Sequence, residues 1–96
     1  MPSYGDTRVM ACSPVDLRRW LVELTGGDGL SVGERGAQVD AAGLLIVLRW
    51  QVLPPRQIAL LRIEQLELSF DYPAGHARAA RDWIARFDRH TQRGGG

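Results

Sequence analysis

Residues 44–72 read LLIVLRWQVLPPRQIALLRIEQLELSFDY and carry the strongest strand signal in the chain. The first part, residues 44–53, is apolar on both faces at its start and becomes polar on one face at Arg49 and Gln51. A strand in the middle of a sheet can carry apolar residues on both faces, because other parts of the protein cover both of them. We therefore predict a central β-strand over residues 44–53.

The second part of this stretch also alternates as a strand does, but its phase changes. The apolar positions are in phase up to Ile63 and shift by one residue at Leu66. A change of phase without a turn signal indicates a β-bulge, in which one extra residue is inserted into a strand. We place this bulge near Glu64 and Gln65.

The two parts can pair as one antiparallel hairpin with residues 54–57 as its loop. Pro54 and Pro55 favour a loop because proline cannot donate a hydrogen bond to a β-ladder. With the bulge included, apolar residues meet along the whole hairpin: Trp50 with Leu61, Leu48 with Ile63, Ile46 with Leu66, and Leu44 with Leu68. The sequence thus predicts a long, bulged antiparallel β-hairpin.

Helix signals lie on both sides of this hairpin. Ser13 and Asp16 form a capping box and Gly26 supplies a left-handed stop, which together predict a helix over residues 14–25. A second helix is predicted over residues 74–91, after Pro73 ends the strand. Its residues at helical spacing form one apolar side: His76, Ala80, Trp83, Ile84, Phe87 and Thr91.

Two weaker strand signals complete the predicted fold. Residues 8–12 can form a short strand, and residues 26–43, with six glycines, form either a functional loop or a small hairpin. We predict an α+β fold in the order (β)-α-(ββ)-β-β-α. The long hairpin, extended to three or four strands if the short ones join it, has the N-terminal and C-terminal helices packed on one face.

Composition indicates one small globular domain over residues 1–96, with residues 1–7 and 92–96 as flexible tails. Hydrophobic residues make up 45% and charged residues 24% of the chain, which argues against a wholly disordered protein. The N-terminus lacks a signal-peptide pattern and no apolar run is long enough to span a bilayer, so we expect a cytoplasmic protein without membrane contact. Cys12 is the single cysteine and cannot form an internal disulfide.

Charge is balanced overall but uneven along the chain. All 12 basic residues are arginine, which is typical of a high-GC, bacterial-like composition, and 11 acidic residues leave a net charge of +1. The last segment, residues 73–96, holds five arginines against two aspartates. Four of them fall within about 80° on an ideal helix, and we call them the arginine face: Arg78, Arg86, Arg89 and Arg93.

The arginine face is the candidate site for an anion or an acidic partner. It could follow a phosphate backbone, but no aromatic residue interleaves the arginines to stack on bases. The alternative is a solvated helix face on which Asp82 pairs with Arg78 and Arg86 at i,i±4 spacing. The sequence leaves both interpretations open.

Other motifs do not indicate catalytic, metal or cofactor chemistry. The terminal glycines, residues 94–96, follow a predicted helix, whereas ubiquitin-like modifiers carry theirs after a strand, so we interpret them as a dispensable tail. His76 and His90 are 14 residues apart, about 21 Å along a helix, and cannot share a metal ion. We predict no catalytic residue, metal site or cofactor.

For function, the sequence favours a non-enzymatic protein-binding or adaptor module. Leu45 and Val47 share the sheet face opposite the predicted core, and Glu64 and Glu67 are expected there too. Because the helices cover only one face, this apolar surface predicts a homodimer through the sheet. Nucleic-acid binding by the arginine face is the alternative, and a small enzyme, or a subunit of one, is the third hypothesis.

Overall fold

The computed structural model describes residues 3–93, and it describes the side chains of residues 5–92. Its strands form one antiparallel sheet of five, in the order β1-β5-β4-β3-β2, which is more than the three or four predicted. Two α-helices complete an α+β fold. The elements are β1 (Ser3–Met10), α1 (Pro14–Thr25), β2 (Leu30–Val32), β3 (Gly36–Ala41), β4 (Leu44–Ile58), β5 (Leu61–Pro73), a 3-10 turn (Ala74–His76) and α2 (Ala77–Arg93).

Helix α1 confirms the prediction made from its capping residues. The Asp16 N–H donates to the Ser13 hydroxyl and the Ser13 N–H donates to the Asp16 carboxylate, each at 3.2 Å. Gly26 ends the helix in the left-handed conformation, with φ of 69°. Local hydrogen bonds therefore set both ends of the helix.

The long hairpin is present, but its turn and its bulge were predicted wrongly. The chain reverses at Ala59 and Leu60, and the two prolines lie inside β4. The irregularity lies in β4, between Leu53 and Arg56, so no bulge is needed in β5. A bulge accommodates prolines because it interrupts the ladder that they cannot join.

The strand register also differs from the prediction, although the buried face is as expected. Trp50 pairs with Leu68 instead of Leu61, and Leu48 pairs with Phe70 instead of Ile63. The core-facing residues of both strands all belong to the predicted apolar set: Leu44, Ile46, Leu48, Trp50, Leu66, Leu68, Phe70 and Tyr72. Leu61 and Ile63, which were also assigned to this set, lie outside the core. The alternation identified the buried face, because every second residue of a strand points the same way.

The segment after α1, residues 26–43, was predicted to be either a functional loop or a small hairpin. It folds as the hairpin, with β2 paired to β3.

At the other sheet edge, β1 begins at Ser3 and pairs with β5 as far as Met10. Residues 3–7, which the composition placed in an N-terminal tail, are therefore the first part of β1. Cys12 follows this strand and is buried. The terminal glycines, residues 94–96, lie outside the described residues.

Helix α2 packs with the apolar side that its periodicity predicted, except at its start. His76 is exposed and lies in the 3-10 turn, so its predicted core position is wrong. The other predicted positions are buried: Ala80, Trp83, Ile84, Phe87 and Thr91. Buried side chains from both helices form one cluster with those of the sheet, and this cluster includes Trp20, Trp50 and Trp83.

Arg8 connects the edge strand β1 to helix α2. Its guanidinium donates to the carboxylates of Asp88 and Asp6, and it lies 5.3 Å from the centre of the Phe70 ring. Burial lowers the pKa of Arg8, but the hydrogen bonds to Asp88 and Asp6 outweigh this effect and raise it overall. A half-buried charge network therefore stabilises the contact between the N-terminal strand and the C-terminal helix.

Burial of Cys12, followed by the nearby charge of Asp16, raises the pKa of its thiol to about 11. An unfolded cysteine loses its proton near pH ~8.5, so the unfolded state binds fewer protons between that pH and 11. We expect the free energy of unfolding to fall by about 3 kcal/mol over this range because of Cys12 alone.

Urea unfolding of the wild type and of Cys12→Ala, measured at a series of pH values, checks this expectation. The difference between the two proteins isolates the thiol, because both contain the same tyrosines and arginines. Curves that stay parallel from pH ~8 to ~11 would show that the folded thiol titrates normally.

Candidate functional site

The structure keeps the predicted arginine face together on the surface of α2. Arg78, Arg86 and Arg89 are exposed, and the side chain of Arg93 lies outside the described residues. In the described part of the chain, these three guanidinium groups form no ion pair, and neither does Asp82. The predicted pairing of Asp82 with Arg78 and Arg86 is therefore absent, and no ion pair with a described residue holds any of the three arginines.

The two histidines occupy separate environments. His76 is exposed in the 3-10 turn before α2, whereas the His90 ring nitrogen lies 2.9 Å from the Glu23 carboxylate of α1. Among residues 3–93, no group of three His, Cys, Asp or Glu side chains is arranged to hold a metal ion. His90 thus has a structural contact that links the two helices.

The end of the long hairpin projects beyond the rest of the sheet. The pairing of β3 with β4 ends at Arg49, and the pairing of β1 with β5 ends at Leu66. Beyond these limits, residues 53–65 pair only with each other within the described chain. We call this two-stranded extension the ribbon. Two-stranded hairpins are marginally stable alone, so the attached sheet must support it.

Exposed apolar side chains crowd the end of the ribbon. Leu60, at the turn, is 99% exposed, and the paired residues Ile58 and Leu61 are 45% and 65% exposed. We call these three residues the ribbon tip. Isolated apolar residues are common on protein surfaces, but a contiguous group marks an interaction site more often.

Positive charge flanks the ribbon tip. Arg56 and Arg62 are both exposed, and neither forms an ion pair with another described residue. The nearest acidic residue along either strand is Glu64. The end of the ribbon is therefore an apolar surface with an arginine on each strand behind it.

The outer face of the sheet, opposite the core, is more polar than the sequence predicted. Leu45 is 43% exposed there, but Arg49 and Asp71 lie beside each other on adjacent strands, 3.7 Å apart. Glu64 and Glu67 were expected on this face together. They are an odd number of residues apart in one unbulged strand, so they point to opposite faces and that expectation is wrong.

The chain matches no protein-family model, no curated protein and no solved structure. Within residues 3–93, none of the helices has the length and apolar character needed to cross a membrane. Function can therefore be inferred only from the surface chemistry of the described residues.

Proposed function

We propose that the protein is a non-enzymatic protein-binding module and that the ribbon tip is its binding surface. The observation that carries this proposal is Leu60, 99% exposed at the turn of a ribbon that projects beyond the five-stranded sheet. Full burial of a leucine side chain contributes about 1.5 to 3 kcal/mol. Burial of Leu60 and Leu61 in a partner would therefore supply much of the free energy of a specific complex.

The charges beside the tip indicate the chemistry of the partner. Arg56 and Arg62 have no acidic partner among the described residues, so they favour a surface with carboxylates at its rim. The apolar tip requires a groove of matching size between those carboxylates. The expected partner is a protein with an apolar groove and an acidic rim.

Replacing both Leu60 and Leu61 with serine should weaken the complex about 100-fold, since the loss of their burial amounts to about 3 kcal/mol. The partner is first captured from the native host with the wild-type protein and identified by mass spectrometry. Its affinity for each variant is then measured by titration calorimetry.

Val15 and Val22 on helix α1 provide the matched control. They are 68% and 50% exposed, so they are also large apolar residues on the surface, but they belong to α1 and not to the ribbon. Serine at both valines should leave the affinity within about twofold. If the leucine and valine variants bind equally well, the ribbon tip is not the binding surface.

A second copy of this chain, bound through the outer face around Leu45, is the competing interface. We propose it as the weaker candidate because the Arg49 and Asp71 pair interrupts the apolar surface. Light scattering over a range of concentrations distinguishes the two interfaces. A dimer that Leu45→Ser dissociates and Leu60→Ser leaves intact would favour the sheet face.

Nucleic-acid binding is the second candidate function, favoured by the exposed arginines of the arginine face, which form no ion pair with a described residue. If a phosphate backbone is the ligand, affinity will fall steeply with salt, and Arg86→Ala and Arg89→Ala will each flatten that slope by about one unit. Arg56→Ala, which removes an exposed arginine from the ribbon, controls for net charge.

We expect oligonucleotide binding at background level at physiological ionic strength, because base-stacking aromatic residues do not interleave the arginines. Fluorescence anisotropy with duplex and single-stranded oligonucleotides measures this. Micromolar binding that Arg86→Ala and Arg89→Ala abolish, with Arg56→Ala unaffected, would place nucleic acid ahead of protein as the ligand.

A further inference from the structure

A surface pocket of about 910 Å³ lies beside the start of β3, where the pairing of β3 with β4 stops at Arg49. The residues that matter for its chemistry come from three parts of the chain: Pro14 and Arg18 of α1, Glu34 and Arg35 of the β2–β3 turn, and Trp50 of β4. The Trp50 backbone N–H donates to the Arg35 carbonyl at 2.9 Å, which holds the turn against β4. Neither the ribbon tip nor the arginine face contributes to this pocket.

Two residues that line this pocket each carry a buried donor atom that forms no hydrogen bond within the described residues. Trp50 is only 4% exposed, and its indole Nε1 has no hydrogen-bond partner in the described structure. The Nε atom of Arg18 is also buried without a partner. Folded proteins pair the great majority of buried polar groups, so two unpaired donors beside one pocket point to an acceptor that binds there.

The charges of the pocket favour an anion of single charge. Arg18 and Arg35 form no ion pair with any described side chain, and the only hydrogen bond of the Arg18 side chain is to the Glu34 carbonyl, at 3.2 Å. Arg49 also lines the pocket, but so do the carboxyl-bearing residues Glu34 and Glu67. Three arginines against two glutamates leave a small excess of positive charge, which suits a monoanion better than a dianionic phosphate.

We propose that this pocket binds a carboxylate, carried either by a small organic acid or by the free C-terminus of a peptide. A planar guanidinium matches the two oxygens of a carboxylate, and the indole N–H supplies a further donor. Pro14, Val52 and the Trp50 ring form apolar walls for the body of the ligand. Both donor atoms are inaccessible in this conformation, so the Arg18 side chain must leave the Glu34 carbonyl before the ligand can reach them.

Solution NMR of the ¹⁵N-labelled protein tests the proposal through the indole N–H signals of its three tryptophans. Trp50→Phe assigns the Trp50 signal by its loss. The probes are 3-phenylpropionate and a short peptide with a free C-terminus. We expect at least one of them to shift the Trp50 signal in a saturable manner, while the Trp20 and Trp83 signals move little. Which probe binds more tightly identifies the source of the carboxylate.

Variants connect the binding to the named residues. Arg18→Gln and Arg35→Gln should each weaken the affinity about tenfold or more, a loss typical of a charge-assisted hydrogen bond. Trp50→Phe should weaken it about threefold or more while preserving most of the packing, as measured by intrinsic fluorescence of the remaining tryptophans. Arg56→Gln, which removes an exposed arginine from the ribbon, should have no effect.

Matched uncharged probes give the results that would overturn the proposal. They are 3-phenylpropanol and the same peptide with an amidated C-terminus. Binding of these probes as tight as that of the acids would show that the pocket recognises only apolar groups. A shift of the Trp50 signal that saturates at a lower concentration of inorganic phosphate than of either carboxylate probe would show that the pocket is a phosphate site. No saturable shift with any carboxylate, or full affinity in both arginine variants, would also rule the site out.

Discussion

Replacing Phe70 with alanine should lower the free energy of unfolding by about 4 kcal/mol, which is a large share of the stability of a domain of this size. Phe70 is completely buried at the centre of the aromatic cluster. Its ring packs edge-on against Phe87 and Trp83, with centroid distances of 5.3 Å and 6.4 Å. The Arg8 guanidinium covers the same ring at 5.3 Å. The truncation therefore leaves a cavity among β5, α2 and β1 together.

Urea unfolding followed by tryptophan fluorescence measures this loss. Phe70→Leu, which keeps most of the volume, should cost about 1 to 2 kcal/mol. Leu60→Ala on the ribbon removes a side chain that makes no core contact and should change stability by less than about 0.5 kcal/mol. A loss below about 1 kcal/mol for Phe70→Ala would mean that the core collapses around the cavity or packs differently from the structure.

Replacing Gly29 with alanine should destabilise the β2–β3 hairpin by about 3 kcal/mol, through strain and a steric clash together. Gly29 has φ of +68°, a conformation that side chains with a Cβ rarely adopt. A Cβ at this position would lie 2.3 Å from the carbonyl oxygen of Asp40. That oxygen belongs to the backbone of β3, and the Asp40 N–H also donates to the Gly29 carbonyl at 2.9 Å, so the neighbour cannot simply rotate away.

Gly27→Ala separates the two causes. Gly27 has φ of +88°, but a Cβ there would meet nothing within 4 Å. Gly27→Ala should therefore lower the free energy of unfolding through backbone strain alone, by about 1 kcal/mol. Urea unfolding gives both losses, and amide hydrogen exchange of β2 and β3 locates them. Equal losses in the two variants would mean that β3 moves to accommodate the new methyl group.

Local features of the chain predicted the elements whose stabilising contacts are also local. Helix α1 has the predicted bounds because Ser13, Asp16 and Gly26 satisfy its ends from within a few residues. The buried side of α2 and the core-facing residues of β4 and β5 follow from periodicity, which the backbone geometry imposes. The same periodicity kept Arg78, Arg86 and Arg89 together on the surface.

The register of the long hairpin could not be predicted in the same way, because register depends on what covers each face. Leu61 and Ile63 were assigned to the core since they are apolar, yet they lie on the ribbon, beyond the last pairing of β1 and β3. The prolines were taken for the loop since they cannot join a ladder, but a bulge holds them inside β4. The turn at Ala59 and Leu60 contains no glycine or asparagine to reveal it.

The two surfaces proposed for binding also depend on long-range packing. The ribbon exists because β1 and β3 stop pairing before β4 and β5 do, and none of these limits is visible in the two strands alone. The pocket brings Arg18, Arg35 and Trp50 together from a helix, a turn and a strand. Patterns of a few residues in the sequence specify which side chains are buried. Contacts between distant elements determine which buried polar groups lack a hydrogen-bond partner and which leucines stay exposed.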